Sequence, residues 1–284
     1  MIRDLLQHEF PHLLSEIPEP PKRLRLWGSP PKPGNKLLCI VGARKYSHYG
    51  REVVEELVAG LAGYPITIVS GLALGIDGLV HRAAIKHGLQ TIALPGSGLD
   101  RKVLHPRSHY PLAEEIVASG GGLLSEHDDT FPAGVWTFPK RNRIMAGMCH
   151  ATIVIEAEMR SGTLITSRLA TEYNREVGAV PGPISSPSAA GPHMLLRLGA
   201  ALIRDAGDVL ELLGIEKDGQ GLLFNPEDLT SEEKVFIKIL SEPCDRDTLI
   251  RKSKLDTAQA NAVLSLMEIK GLIKEELGEV RKTF

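Results

Sequence analysis

Between residues 36 and 203 short apolar runs alternate with longer amphipathic stretches. The runs KLLCIV, ITIVS, TIAL, GLLSE, ATIVIE, EVGAVPG and ALIRD are too short for buried helices and mostly rich in aliphatic residues, so they read as strands. Helical patterns separate most of them, the first over about Tyr49 to Leu61 and Ile76 to His87. Near-continuous apolar strands alternating with helices predict an α/β fold with a doubly wound, mainly parallel sheet. Residues 1–34 break the pattern. Their prolines (Pro11, Pro18, Pro20, Pro21, Pro30, Pro31 and Pro33) predict an irregular arm with one helical turn near its start, tacked to the body by Leu24, Leu26 and Trp27.

Past Gly214 the chain loosens (GIEKDGQG) and a second unit begins. Helical periodicity over Leu229 to Leu240 follows a Thr230 cap with Glu233 three residues on, which is capping-box spacing. Short helices over Asp245 to Lys254 and Asp256 to Ile269, then a two-stranded ribbon in GLIKEELGEVRKTF, complete a winged helix-turn-helix layout. The expected organisation is an arm (1–34), an α/β unit (35–215), a linker (216–227) and a winged-helix unit (228–284).

The unusual residues follow the strands. Gly42, Ala43 and Arg44 follow the first run, SGLALGID the second and PGSG the third, all at the carboxyl edge where open α/β sheets bind ligands. The stretch from Phe138 to Thr166 is the most pointed. It carries Lys140, Arg141 and Arg143 around Asn142, then an apolar strand, then the small-residue turn Ser161, Gly162, Thr163. A turn entering a helix offers unpaired N–H groups to an anion, glycine permits close approach, and guanidinium groups add forked bonds to phosphate oxygens. Cations near a helix start oppose the dipole, so three together call for an anion. Phe138 could stack on an exposed base or pack in the core beside Trp136. No G-x-G-x-x-G turn or P-loop occurs, so no nucleotide cofactor is expected.

With 33 Lys and Arg against 35 Asp and Glu, the net charge is -2, so a polyanion must be met by a local patch. The winged-helix unit is no more basic. From Asp228 onward it has 11 acidic and 10 basic residues, and its third helix carries no Lys or Arg before Lys270, which favours protein contact over duplex reading. Cys39, Cys149 and Cys244 are odd in number and lack metal spacing, which fits reduced thiols. No stretch approaches a membrane span, and a cytoplasmic location is expected.

The motifs PPKRLRLWG, IVGARKYSHYG, IVSGLALGIDGLVHRAA, TIALPGSGLD, LLSE, FPKRNRIMAG, VIEAEMRSGTLIT and AVPGPISS together resemble the DNA-processing protein A family (DprA, also called Smf). The resemblance runs from about Pro11 to Leu213 and more loosely to Phe284. It implies an extended Rossmann-like domain followed by a winged helix, acting without a catalytic residue. It also implies binding and protection of single-stranded DNA in natural transformation or recombination, loading of the RecA recombinase, and a homodimer. Carried over residue by residue, the DNA pocket would be Gly42, Ala43, Arg44, the run from Phe138 through Lys140, Arg141 and Asn142 to Arg143, and Ser161, Gly162 and Thr163. The leucine-rich run His193 to Ile203 is a candidate dimer face, with core packing as the alternative.

Two other functions fit parts of the pattern. Nucleotide phosphoribohydrolases share the arginine-bearing helix, buried strand and glycine turn, but here Leu164, Ile165 and Thr166 stand where a general acid/base glutamate is needed. A duplex-binding regulator could act through the winged helix. Asp77 and His81, one helical turn apart, could be an acid/base pair; the plainer reading is a helix cap with the imidazole satisfied by it. Glu126, Glu156 and Glu158 follow strands at the same edge and are read as local ion-pair partners.

Overall fold

The computed structural model describes residues 2–216, 229–240, 244–253, 255–270, 272–276 and 278–282, in two compact units, Met1–Ile215 and Glu216–Phe284. Apart from Glu216, the expected linker 216–227 lies outside the described residues.

Seven strands of the first unit form a parallel run: β3 (Lys36–Val41), β4 (Ile66–Ser70), β5 (Gln90–Ala93), β6 (Gly122–Ser125), β7 (Ala151–Val154), β8 (Glu176–Ala179) and β9 (Ala201–Leu202). Two more come from the arm, β1 (Ile2–Asp4) and β2 (Arg25–Gly28), paired antiparallel to each other, with β2 also antiparallel to β6. The order is β1-β2-β6-β5-β4-β3-β7-β8-β9. Winding leaves β3 in one direction through β4, β5 and β6 and in the other through β7, β8 and β9, so the switch point lies between β3 and β7.

Helices α1 (His48–Gly60), α2 (Ile76–Lys86), α3 (Tyr110–Ala118), α4 (Thr137–Met148), α5 (Thr163–Glu172), α6 (Ala190–Arg197) and α7 (Ala206–Leu212) cover the sheet. The two-residue period of β3 divides the core. Leu38 and Ile40 pack with Val54, Leu57 and Val58 of α1, Val80 of α2 and Val209 of α7. Leu37, Cys39 and Val41 face Ile144, Met145 and Met148 of α4 and Leu195 of α6. Central strands buried on both faces explain why their sequences show no polar alternation.

The arm is more ordered than its prolines predict. Leu14, Ile17, Leu24 and Leu26 are fully buried, as expected of Leu24 and Leu26, and join the α4 side of the core. Arg143 Nη1 donates to the Glu19 carbonyl at 2.5 Å, and Arg175 reaches Glu16 at 2.7 Å and the Leu13 carbonyl at 2.8 Å. Strands β1 and β2 are short and lie far apart in sequence, and β2 joins the sheet through the distant β6, so local pattern does not reveal them. Cys39 and Cys149 meet in the core as free thiols, and burial pushes the Cys149 thiol up.

The second unit has the expected order: α8 (Ser231–Ile239), α9 (Arg246–Ser253), α10 (Thr257–Ile269) and the wing β10 (Ile273–Glu276) with β11 (Glu279–Lys282). The Thr230 and Glu233 capping box forms, and Phe236, Leu249, Leu264, Met267 and Val280 make its core. Two of its cations are paired internally. Lys270 pairs with Glu233 at 2.7 Å, and Arg246 with Glu268 and Glu275 at 3.3 and 3.0 Å. Among the described residues, no helix is long and apolar enough to cross a membrane and no His, Cys, Asp and Glu cluster could hold a metal ion.

Candidate anion-binding cleft

At the switch point the turns after β3 and β7 open onto a cleft of about 440 Å³. One wall is Gly42, Ala43, Arg44 and Lys45; the other is Glu158, Arg160, Ser161, Gly162 and Thr163; Ala73, Asp77, Phe138, Arg141, Asn142, Met145 and Thr166 complete it. The walls are tied together by Thr163, whose Oγ1 donates to the Gly42 carbonyl at 3.1 Å. Helix α5 starts at this point with its positive end toward the cleft, and Ser161 Oγ accepts from Thr163 N at 3.2 Å in its first turn.

The β3 turn is shaped by the chain beneath it. Gly75 has φ +90°, and a Cβ there would lie 2.2 Å from the Ala43 carbonyl oxygen, so only glycine fits both the conformation and the contact. The same carbonyl accepts from Ile76 N at 3.1 Å. Asp77 does not pair with His81. Its buried Oδ2 accepts from Gly71 N at 3.1 Å and Ala73 N at 3.3 Å, holding the loop before α2. Burial pushes the Asp77 carboxyl up, and the neighbouring Arg141 charge opposes that shift. The His81 partner is Thr91, at 2.7 Å, and burial lowers the imidazole to about 3, so it is neutral. The mutual pairing fails because each has another partner, the loop amides for Asp77 and the β5 hydroxyl of Thr91 for His81.

The cations of α4 diverge as well. Successive helical residues are about 100° apart, so Lys140, Arg141 and Arg143 cannot share one direction. Arg141 lines the cleft, largely buried, with Nη1 donating to the Leu94 carbonyl; burial lowers its pKa, against the pull of Asp77. Asn142 also lines it, with Nδ2 3.5 Å from the Gly162 carbonyl. Lys140 and Arg143 do not. Arg143 pairs with Glu126 and holds the arm, and Lys140 stands 3.7 Å from the same carboxylate. The carboxylates beside Arg141 and Arg143 are therefore the protein's own, Asp77 and Glu126.

Phe138 packs against Gly96, not Trp136: a Cβ on Gly96 would come within 2.5 Å of its ring. Arg44 lies over that ring at 5.7 Å, and His105 covers it at 5.6 Å. Burial and the Arg44 charge lower the His105 pKa. Glu126 is a local ion-pair partner, as read from the sequence; Glu156 instead accepts from Ser47 N at 2.9 Å, Ser47 Oγ at 2.6 Å and Ser188 Oγ at 2.9 Å, and among the described residues neither Glu156 nor Glu158 forms an ion pair.

Lys45 and Arg160 are the charged lining residues that sequence reasoning passed over. The signal for Arg160 was its place directly before the Ser161 turn. Among the described residues Arg44, Lys45 and Arg160 form no ion pair, so the cleft holds four cations against two carboxylates, with three of the cations unpaired.

These features define a class: a Rossmann-like α/β protein with a cationic cleft at its switch point, followed by a winged-helix unit. The sequence model of DNA recombination-mediator protein A matches residues 2–214, and that of the DprA winged helix domain residues 225–279. The chain belongs to the DNA recombination-mediator protein A (DprA) family. Protein Smf of Escherichia coli is 43% identical over 176 residues, 62% of this chain and 46% of that one, so the match spans about half of that relative. DNA processing protein DprA of Streptococcus pneumoniae is 39% identical over 206 residues, 72% of each chain. The X-ray structure of the S. pneumoniae protein superposes with a TM-score of 0.68 at 38% identity, covering 74% of this chain and 73% of that one. A Helicobacter pylori DNA processing protein A structure, described for its single-stranded DNA binding mode, superposes at 0.66 with 26% identity, covering 75% and 95%.

Proposed function

We propose that this protein binds single-stranded DNA by its sugar-phosphate backbone in the cleft, without a catalytic step. The observation that carries the reading is the convergence of unpaired Arg44, Lys45 and Arg160 on the positive end of α5. Such a site neutralises phosphates and reads little sequence, which suits a single strand of any composition. The single-strand binding described for the H. pylori relative supports it. The near-neutral charge of the winged-helix unit, with Lys270 and Arg246 paired internally, favours a protein-contact role there.

The reading extends to protecting recombining strands in the cytoplasm during recombination or transformation, and to loading RecA on them. A cleft this small grips a few nucleotides, so a homodimer gains through effective concentration. Its proposed contact is the apolar groove of Met159, Leu164, Val177, Met194 and Leu198 between α5 and α6. The test is equilibrium binding of a labelled single strand and its duplex to the parent and Arg44→Ala. Preference for the single strand, lost in the variant, supports the cleft; equal duplex binding, or an unaffected variant, contradicts it.

A further inference from the structure

The loop before α4 carries a feature the cleft does not use. Val135 is 90% exposed and Trp136 59% exposed, an unusual pair of large apolar side chains to leave in water. Trp136 is nevertheless fixed. It meets Phe131 and His127 edge to face at 5.8 and 5.9 Å, and those two rings stack on each other at 4.5 Å. The backbone on either side is pinned by Thr137 Oγ1 on the Gly134 carbonyl at 2.7 Å and by Gly98 N on the Phe131 carbonyl at 2.8 Å. A rigid, half-exposed indole is a surface prepared for another flat ring.

Its surroundings specify the occupant. Phe138, two residues on, borders the cleft but its ring is already covered by Arg44 and His105. Lys140 is one helical turn from Trp136 on the same side of α4, 46% exposed and only loosely paired. The acidic residues nearby are each offset: Asp128 by Arg23 at 3.0 Å, Asp129 by Arg25 at 2.6 Å and Glu126 by Arg143. An aromatic surface beside an available cation, next to a phosphate cleft and free of unpaired negative charge, matches a base followed by its phosphate.

We propose that Trp136 is a base-stacking site that receives a nucleotide of the single strand beyond the cleft, with Lys140 on the adjoining phosphate. This inference rests on the single-strand reading above. The protein has two tryptophans, and Trp27 is stacked on Tyr110, so Trp27→Phe leaves Trp136 as the sole tryptophan, read by excitation beyond the tyrosine band. Titration with an oligothymidylate of roughly 20 nucleotides should then quench emission with the midpoint seen by anisotropy. A strand with abasic sites throughout should bind without quenching. Trp136→Ala should weaken oligothymidylate binding roughly 5- to 150-fold, leave the abasic strand unaffected, and be largely rescued by Trp136→Phe. Fluorine NMR of the 5-fluorotryptophan-labelled parent gives the same answer should Trp27→Phe fold poorly. Silent Trp136 at saturation, or equal loss on both strands, overturns the inference while single-strand binding stands. Absence of any single-strand binding by the parent overturns both.

Discussion

Arg143→Ala separates the two roles that the basic run of α4 could have. Arg143 Nη1 donates to the Glu19 carbonyl at 2.5 Å and Nη2 to Glu126, with only 10% and 18% of the two side chains exposed. Hydrogen bonds to charged groups contribute about 1.5–3 kcal/mol each. Truncation also leaves Glu126 short of a partner, although Lys140 at 3.7 Å takes up part of its charge. A loss of about 3 kcal/mol follows, a large share of the ~5–15 kcal/mol that holds a domain together. For a unit of this size that lowers the melting temperature by about 6–12 °C. The assay is thermal and urea unfolding of parent, Arg143→Ala and Arg44→Ala, with single-strand anisotropy well below the transition. Arg143→Ala should lose stability and keep binding; Arg44→Ala, exposed and unpaired, should keep stability within ~0.5 kcal/mol and lose binding. An Arg143→Ala variant as stable as the parent but unable to bind would refute the assignment.

Other outcomes are as definite. Because folded His81 stays neutral down to about 3 whereas an unfolded histidine titrates near its usual 6.5, the unfolded chain takes up a proton first as pH falls. Stability should therefore decline from pH 6.5 toward 3, and urea midpoints across that range should show a shallower decline in His81→Gln. Gly75→Ala forces a Cβ into the Ala43 carbonyl at positive φ, and should cost at least about 1–2 kcal/mol and weaken single-strand binding together. Lys270→Ala strips the partner from buried Glu233, so it should destabilise the second unit by about 1–2 kcal/mol without changing the salt dependence of DNA binding. Calorimetry of the full chain alongside a salt titration checks both halves of that statement.

Much of this was legible because the central strands are uniformly apolar and the turns after them are not. Gly42, Ala43 and Arg44 and the Ser161 turn converge because carboxyl ends of parallel strands share one edge, which topology alone dictates. The winged-helix order was equally plain from the Thr230 cap and the short helices. What stayed hidden depends on direction and distance. The spread of Lys140, Arg141 and Arg143 follows from helical period, but their carboxylate partners, Glu126 and Asp77, lie on other elements. The Asp77 and His81 spacing suggested mutual contact, yet each found a nearer partner in the loop or strand beside it. The arm strands were masked by proline-rich flanks and join the sheet through the distant β6.

The most direct test of the account is the salt dependence of single-strand affinity for the parent, Arg44→Ala and Arg160→Ala. Each released phosphate contact should make the slope of log K against log salt shallower by about 0.7. The account predicts a shallower slope in both variants, with duplex affinity staying weak throughout. Unchanged slopes in both, with full affinity, would contradict the cleft as the seat of binding.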